Sequence, residues 1–267
     1  MDDAHNQSIS SGLALISNYE SEDCDSDEEN EVIRLDKSEC NTSRERLPAP
    51  SALLQTTKTE DFHEDNPLLH DGRVRSFPHV RGNWSTLVYI AYEHNDVLDE
   101  FITNLKLTLG DKINLRQIDN LHISLSKTVV LLYHWINTLV ESLQLQFQTY
   151  PRFTLQFGEL EVFCNETETR TFIGMNILAG NEELLNLVKM VDSCLTEFKL
   201  DTFYEEPKFH LSIAWCLGNK MSELKTELPR LNELCNHFIV NNPDFILKQV
   251  DSICCKSGNK FFTFPLK

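Results

Sequence analysis

None of the chain's eight cysteines is spaced as a C-x-x-C pair, and no G-x-S-x-G turn occurs in its 267 residues. The first absence removes the usual zinc-ribbon and thiol-redox signatures. The second removes the strand-to-helix elbow on which an α/β-hydrolase mounts its serine. The beginning of the sequence has neither a basic stretch nor a long apolar core of the kind that directs secretion. The longest apolar run, "TVVLLYHWINTLV", is broken by Tyr133, His134 and Asn137 and falls short of a membrane span. These gaps lead us to expect reduced thiols in a cytosolic or nuclear protein that does not enter a membrane.

Positive charge is scarce too: 24 Lys and Arg stand against 41 Asp and Glu, a formal net charge of −17. The imbalance is uneven. Residues 1–65 carry 17 acidic and 5 basic side chains, a net of −12, whereas residues 66–267 carry 24 and 19, a net of −5. The first stretch contains "NYESEDCDSDEEN" and the loop-like "LPAPS". So little apolar surface cannot offset the entropy of ordering, and residues 1–70 read as a disordered acidic tail. Ser21 and Ser26, set among acids, are candidate phosphorylation sites there. Residues 71–267 form the folded domain, long enough to bury roughly 70% of its unfolded surface without staples.

Within that domain short strands alternate with helices. "WSTLVYIAY", rich in β-branched and aromatic residues, reads as a strand. "NDVLDEFITNLKLTL" reads as a helix capped by Asn95 and ended by Gly110. "NLHISLS" is the next strand, and "TVVLLYHWINTLVESLQLQF" reads as one long helix. "RFTLQFGELEVF" and "TRTFIGMNIL" are strands, followed by a helix with an Asn181 cap over "NEELLNLVKMVDSCLTEF". "KFHLSIAW" is a strand, "MSELKTELPRLNELCNHF" a helix interrupted by Pro229, and "FILKQVDSICC" with "KFFTFPL" a closing hairpin. Strand, helix, H-x-S strand and helix thus recur in each half. A duplicated unit of this kind sets the two H-x-S strands side by side about a pseudo-two-fold axis, facing one cleft.

Both H-x-S strands have the period-two pattern of a half-buried strand. In "LHISLS", His122, Ser124 and Ser126 alternate with Leu121, Ile123 and Leu125. In "PKFHLSIAW", His210, Ser212 and Ala214 alternate with Phe209, Leu211, Ile213 and Trp215. One H-x-S match means little, since about 0.6 arise by chance from 9 His and 19 Ser. Two matches in equivalent strands of a repeat are harder to reach by accident. A pair of imidazoles suits phosphodiester cleavage, one taking a proton from the attacking oxygen while the other protonates the leaving oxygen. A serine two positions on faces the same way and can donate to a non-bridging phosphate oxygen. A structural role for both histidines is the plainer alternative. Zinc needs a third ligand, and no Asp, Glu, His or Cys recurs at metal-ligand spacing around either strand.

The paired H-x-S strands resemble the 2H phosphoesterase superfamily. "GRVRSFPHVRGNW", "LHISLSKTVVL", "TRTFIGMNI" and "TFYEEPKFHLSIAWCLG" are similar to the U6 small nuclear RNA phosphodiesterase family, Usb-type exoribonucleases, over roughly residues 71–267. The resemblance implies an α+β, bilobal 2H fold: two pseudo-symmetric lobes whose antiparallel sheets line a central cleft, with helices outside. It implies a metal-independent, cofactor-free, nuclear 3′-to-5′ exoribonuclease, expected to be a monomer. Such an enzyme trims uridines and adenosines from the single-stranded 3′ end of U6 RNA and leaves a 2′,3′-cyclic phosphate. By that match His122 and His210 are catalytic, Ser124 and Ser212 bind phosphate, and Tyr204 stacks on the terminal base. Glu206, Pro207, Lys208 and Phe209 line the nucleotide pocket. Glu166 stands where the family often has glutamine, and an ionised carboxylate there cannot donate a hydrogen bond. Arg73, Arg75 and Arg81 are candidate sources of local positive potential. Two other readings share the motif: a cyclic phosphodiesterase acting on tRNA-splicing or 2′-5′ substrates, and a silent module that shields RNA 3′ ends.

Overall fold

The computed structural model describes residues 77, 78 and 80–267. The expected acidic tail, the domain start at residue 71, and Ser21, Ser26, Arg73 and Arg75 lie outside the described residues. Chain order is β1 (Asn83–Ala91), α1 (Asp96–Leu109), β2 (Arg116–Gln117), β3 (His122–Ser124), β4 (Val129–Leu132), α2 (Ile136–Phe147) and β5 (Phe153–Cys164). It continues with β6 (Arg170–Ala179), α3 (Asn181–Glu197), β7 (His210–Leu217), α4 (Met221–Asn241), β8 (Leu247–Val250), β9 (Ser252–Ser257) and β10 (Lys260–Pro265).

These strands form two antiparallel sheets, as the α+β bilobal reading requires. One runs β10-β9-β1-β3, with β4 pairing the other end of β1; the second runs β2-β7-β6-β5-β8. The lobes are not simple halves of the chain. β2 pairs with β7 in the second sheet, and the C-terminal hairpin β9–β10 returns to β1 in the first. Expected as part of one hairpin strand, "FILKQVDSICC" splits at Asp251: β8 pairs with β5 in one sheet, β9 with β1 in the other.

Local chemistry explains most elements. Asn95 caps α1 by accepting from the Leu98 N–H at 2.8 Å, and Asp96 and Asp99 sit in the first turn, where the helix dipole favours negative charge. Leu98, Phe101, Ile102, Leu105 and Leu109 form its buried stripe, and Phe101 meets Phe238 of α4 with ring centroids 5.0 Å apart. The expected long helix over "TVVLLYHWINTLVESLQLQF" is a strand followed by a helix. Val129–Leu132 pairs with Asn83–Thr86 of β1, where β-branched side chains pack well, and the helix starts only at Ile136. In α3 the cap position belongs to Gly180, at φ +100°, and Asn181 is the first helical residue, donating to the Ile177 carbonyl. α4 runs through Pro229 without a break, from Met221 to Asn241.

The first H-x-S strand ends earlier than its alternation suggests. Ser126 does not share the open face with His122 and Ser124. It is buried, and its hydroxyl accepts the Val88 N–H at 2.9 Å while the Leu125 N–H donates to the Val88 carbonyl. Replacing Ser126 by alanine therefore strands a buried donor and should cost about 1–3 kcal/mol. Ser124→Ala should stay within about 0.5 kcal/mol of the parent. Urea midpoints of the two variants test this, and equal midpoints would remove Ser126 from the framework.

Candidate active site

Both motif histidines stand at the first residue of their strands, and each is tied in the same way. His122 Nδ1 lies 2.8 Å from the Asn120 carbonyl, and His210 Nδ1 lies 2.8 Å from the Lys208 carbonyl. A carbonyl only accepts, so each Nδ1 carries the proton and each Nε2 is left for whatever occupies the cleft. β3 and β7 are neighbours, and β2, just before β3 in the chain, pairs with β7, a ladder that the Ile118 N–H extends by donating to the Ile213 carbonyl at 3.2 Å. The charge of His122 is felt at His210. The structure thus brings together the two residues that the repeat pairs. Neither Ser124 nor Ser212 is held by another described side chain, and each follows its histidine on the same face of its strand.

Register fixes what surrounds each ring, because partners in an antiparallel pair project to the same side. In the first sheet Tyr89 is opposite Ser124 and Ala91 is opposite His122, and Tyr89 meets the His122 ring edge-on at 5.5 Å. In the second, Gly174 is opposite Ser212 and Asn176 is opposite His210. Asn176 donates to Glu161 of β5 at 2.8 Å, and the Phe163 ring stacks on His210 at 3.7 Å with planes 15° apart.

A bulge then overturns the expected alternation of β7. Pairing slips between Gly174/Ser212 and Ile173/Ala214, leaving Ile213 as the extra residue. Ala214 therefore joins the buried Ile173 on the core side. Trp215 joins Phe172 on the side of the histidine, where Arg116 and Arg170 lie over its ring at 5.4 and 5.9 Å.

Tyr204 sits on the loop before β7 with 47% of its surface exposed, so core packing is not its role. Phe203 does the packing, parallel to the buried Phe209 at 6.0 Å and anchored by its N–H to Asp192 at 2.9 Å. Burial pushes the Asp192 carboxyl up, against the opposing pull of that N–H and of Lys127. The Tyr204 hydroxyl donates to Glu166 at 3.2 Å, and the Lys127 ammonium stands 4.5 Å from its ring centroid. A cavity of about 300 Å³ elsewhere, between the end of α1 and α4, is lined by Leu109, Lys112, Ile113, Glu223, Thr226 and Glu227 and includes none of the expected site residues. The one beside Tyr204, about 600 Å³, is lined by Lys127 and residues 201–206, which include the expected Glu206.

Other expected contacts are placed differently. Phe209 belongs to the core, 6% exposed, and supports the loop from beneath instead of lining the pocket. Lys208 contributes its carbonyl to His210, Pro207 is half-buried, and Arg81 is exposed. Phe163, Gly174, Tyr89 and Lys127 were not anticipated. "ELEVF" did carry a signal, since its alternation puts Glu161 and Phe163 on one face. Among the described residues no three His, Cys, Asp or Glu side chains are grouped as a metal site, and the six cysteines are unpaired.

Burial is the largest influence on His210 and holds its pKa below the ordinary histidine value. The Lys208 carbonyl and Glu161 pull the other way, while His122 adds to the depression. A lowered folded pKa means that the unfolded chain takes up this proton first as pH falls. Stability is unaffected above about pH 6.5 and declines below it until the folded pKa is passed, at up to about 1.4 kcal/mol per pH unit. His210→Gln should flatten that part of the stability–pH curve relative to the parent; parallel curves would contradict the assignment.

Comparison with known proteins matches this architecture. A family model described as HVSL, uncharacterised conserved protein, matches residues 46–265. The chain is 38% identical over 231 residues to U6 snRNA phosphodiesterase 1 of Homo sapiens, covering 84% of this chain and 85% of that one. It is 40% identical over 228 residues to U6 snRNA phosphodiesterase 1 of Xenopus laevis, covering 82% and 89%. Among solved structures, Usb1 of Kluyveromyces marxianus superposes with a TM-score of 0.53 at 12% identity, over 71% of this chain and 100% of that one, a likeness of fold. By these matches the chain belongs to the U6 snRNA phosphodiesterase family.

Proposed function

We propose that this chain is a 3′-to-5′ exoribonuclease that trims uridines and adenosines from the 3′ end of U6 small nuclear RNA in the nucleus. The carrying observation is the matched pair of imidazoles, each with Nδ1 spent on a carbonyl, which leaves Nε2, unbonded among the described residues, for proton transfer. Family membership supports the substrate.

In the proposed reaction His210 is the base, because its burial favours the neutral ring. Its Nε2 takes the proton from the 2′-hydroxyl of the penultimate nucleotide, and O2′ forms a bond to the adjacent phosphorus. The P–O5′ bond breaks, and His122, entering protonated, gives its Nε2 proton to the departing O5′. The terminal nucleoside leaves, and the shortened RNA ends in a 2′,3′-cyclic phosphate. Ser124 and Ser212 donate to the non-bridging oxygens, where negative charge accumulates. Both proton transfers are carried by side chains, so the scheme needs no metal ion. Tyr204 offers an exposed ring to the terminal base, a contact worth about 1–3 kcal/mol in single-stranded recognition. Its hydroxyl is steadied by Glu166, an acceptor when ionised, so any reading of the base by that carboxylate comes through a donor on the base.

Oligouridine ending in a cis-diol should lose its terminal nucleoside in the presence of EDTA, with a cyclic phosphate on the product by mass. Alanine at His122 or His210 should lower kcat by about 10² or more. A 2′-deoxy sugar at the penultimate position should stop cleavage, and rapid cutting of that substrate would refute attack by the 2′-oxygen. Retention without shortening would identify a binding module instead. Tyr204→Ala should raise KM by about 5- to 150-fold with a smaller effect on kcat. An unchanged KM would remove the stacking role.

A further inference from the structure

We propose that Phe163 and Gly174 together position His210, the ring of Phe163 lying across the space that Gly174 leaves open and clamping the plane of the imidazole. The proposal rests on the reading of His210 as the proton acceptor.

The register makes the contact unexpected. Phe163 is paired with Phe172, which is paired with Trp215, so these three occupy one row across the second sheet. His210 belongs to a different row, opposite Asn176, with the Gly174–Ser212 row in between. Phe163 nevertheless reaches His210 and stacks on it face to face, at 3.7 Å and 15°. It can do so because position 174 has no side chain. A Cβ there would lie 3.3 Å from Phe163 Cε2, 3.4 Å from His210 Cδ2 and 3.0 Å from the Leu211 carbonyl oxygen. An alanine Cβ would oblige the Leu211 carbonyl and the Phe163 ring to give by a few tenths of an ångström, and a longer side chain would compete for the space between Phe163 and His210.

The corresponding position in the first sheet, opposite Ser124, is Tyr89, which meets its histidine by an edge at 5.5 Å. Only one imidazole of the pair is therefore covered face-on by an aromatic ring among the described residues. The Lys208 carbonyl pins one edge of His210 but leaves the ring free to pivot about that bond. The stack removes this freedom, and the two restraints together aim Nε2. It also keeps water from one face, which disfavours the imidazolium. The ionisable groups that act on this ring are Glu161 of β5 and His122 of β3. Phe163 is half-buried at the end of a strand and lies outside the fully buried core.

The test compares Phe163→Ala, Phe163→Tyr and Gly174→Ala in the full chain, by NMR titration of the His210 ring without RNA and by kinetics on oligouridine. Phe163→Ala should move the His210 midpoint up toward about 6.5 and carry the acid limb of kcat/KM with it. kcat should fall about 10- to 100-fold, as expected for a misaimed group, with KM within about twofold. Phe163→Tyr should keep both readouts at the parent values, and Gly174→Ala should move both in the same direction as Phe163→Ala, by less, with Phe163 still present. A Phe163→Ala protein with the parent midpoint and kcat would overturn the proposal. So would one that fails to fold, since Phe163 would then be a core residue. If the midpoint moves but the parent does not shorten oligouridine, the positioning stands and the proposed reaction falls.

Discussion

Two hydrogen bonds from imidazole Nδ1 to a carbonyl two residues upstream organise everything else about the cleft. They are possible because β3 begins at His122 and β7 begins at His210. Within a ladder, backbone carbonyls are consumed by neighbouring strands. Asn120 and Lys208 precede the ladders, so their carbonyls are available to a side chain. In β7, which has β6 on one side and β2 on the other, a histidine placed farther along would find backbone carbonyls already engaged in the ladders. The position of the motif at the strand entry is thus as important as its spelling.

The pseudo-two-fold relation brings two H-x-S strands together, yet it breaks in the surroundings of the two histidines, as the proposed acid and base roles would need. Opposite the two motif serines stand Tyr89 and Gly174; opposite the two histidines stand Ala91 and Asn176. One ring is met by an aromatic edge, and the other lies under an aromatic face and near a carboxylate. An acid and a base made of the same side chain can be told apart only by such differences in surroundings. The strand partners, more than the motif itself, distinguish the two histidines.

This also explains what was legible in the sequence. Period-two alternation identified both histidine strands, and capping chemistry at Asn95 located α1, because these signals involve only neighbouring residues. Tertiary pairing decided the rest. "TVVLL" is as apolar as a buried helix turn, and only its pairing with Asn83–Thr86 of β1 makes it a strand. The side chosen by Trp215 depends on a bulge against β6, and Ser126 turned inward because the Val88 N–H needed an acceptor. Phe163 could be placed on a face from "ELEVF". Its contact with His210 could not be foreseen, since that needs the knowledge that a glycine from another strand lies between them.

Charge sets the scale of what this cleft can hold. Residues 66–267 carry a net of −5, and the Tyr204 pocket is bordered by Asp201, Glu205 and Glu206, with Lys127 as its cation. Such a surface would repel an extended polyanion, whose binding draws on many phosphate contacts. It does not penalise the proposed engagement of a single phosphate by two serine hydroxyls and one imidazolium, with a base laid on an exposed tyrosine. Arg116 and Arg170 lie over Trp215 on the same face as His210. The electrostatics therefore favour a short single-stranded end over a duplex, and this follows from the arrangement of a few groups around His122 and His210 more than from the overall charge of the chain.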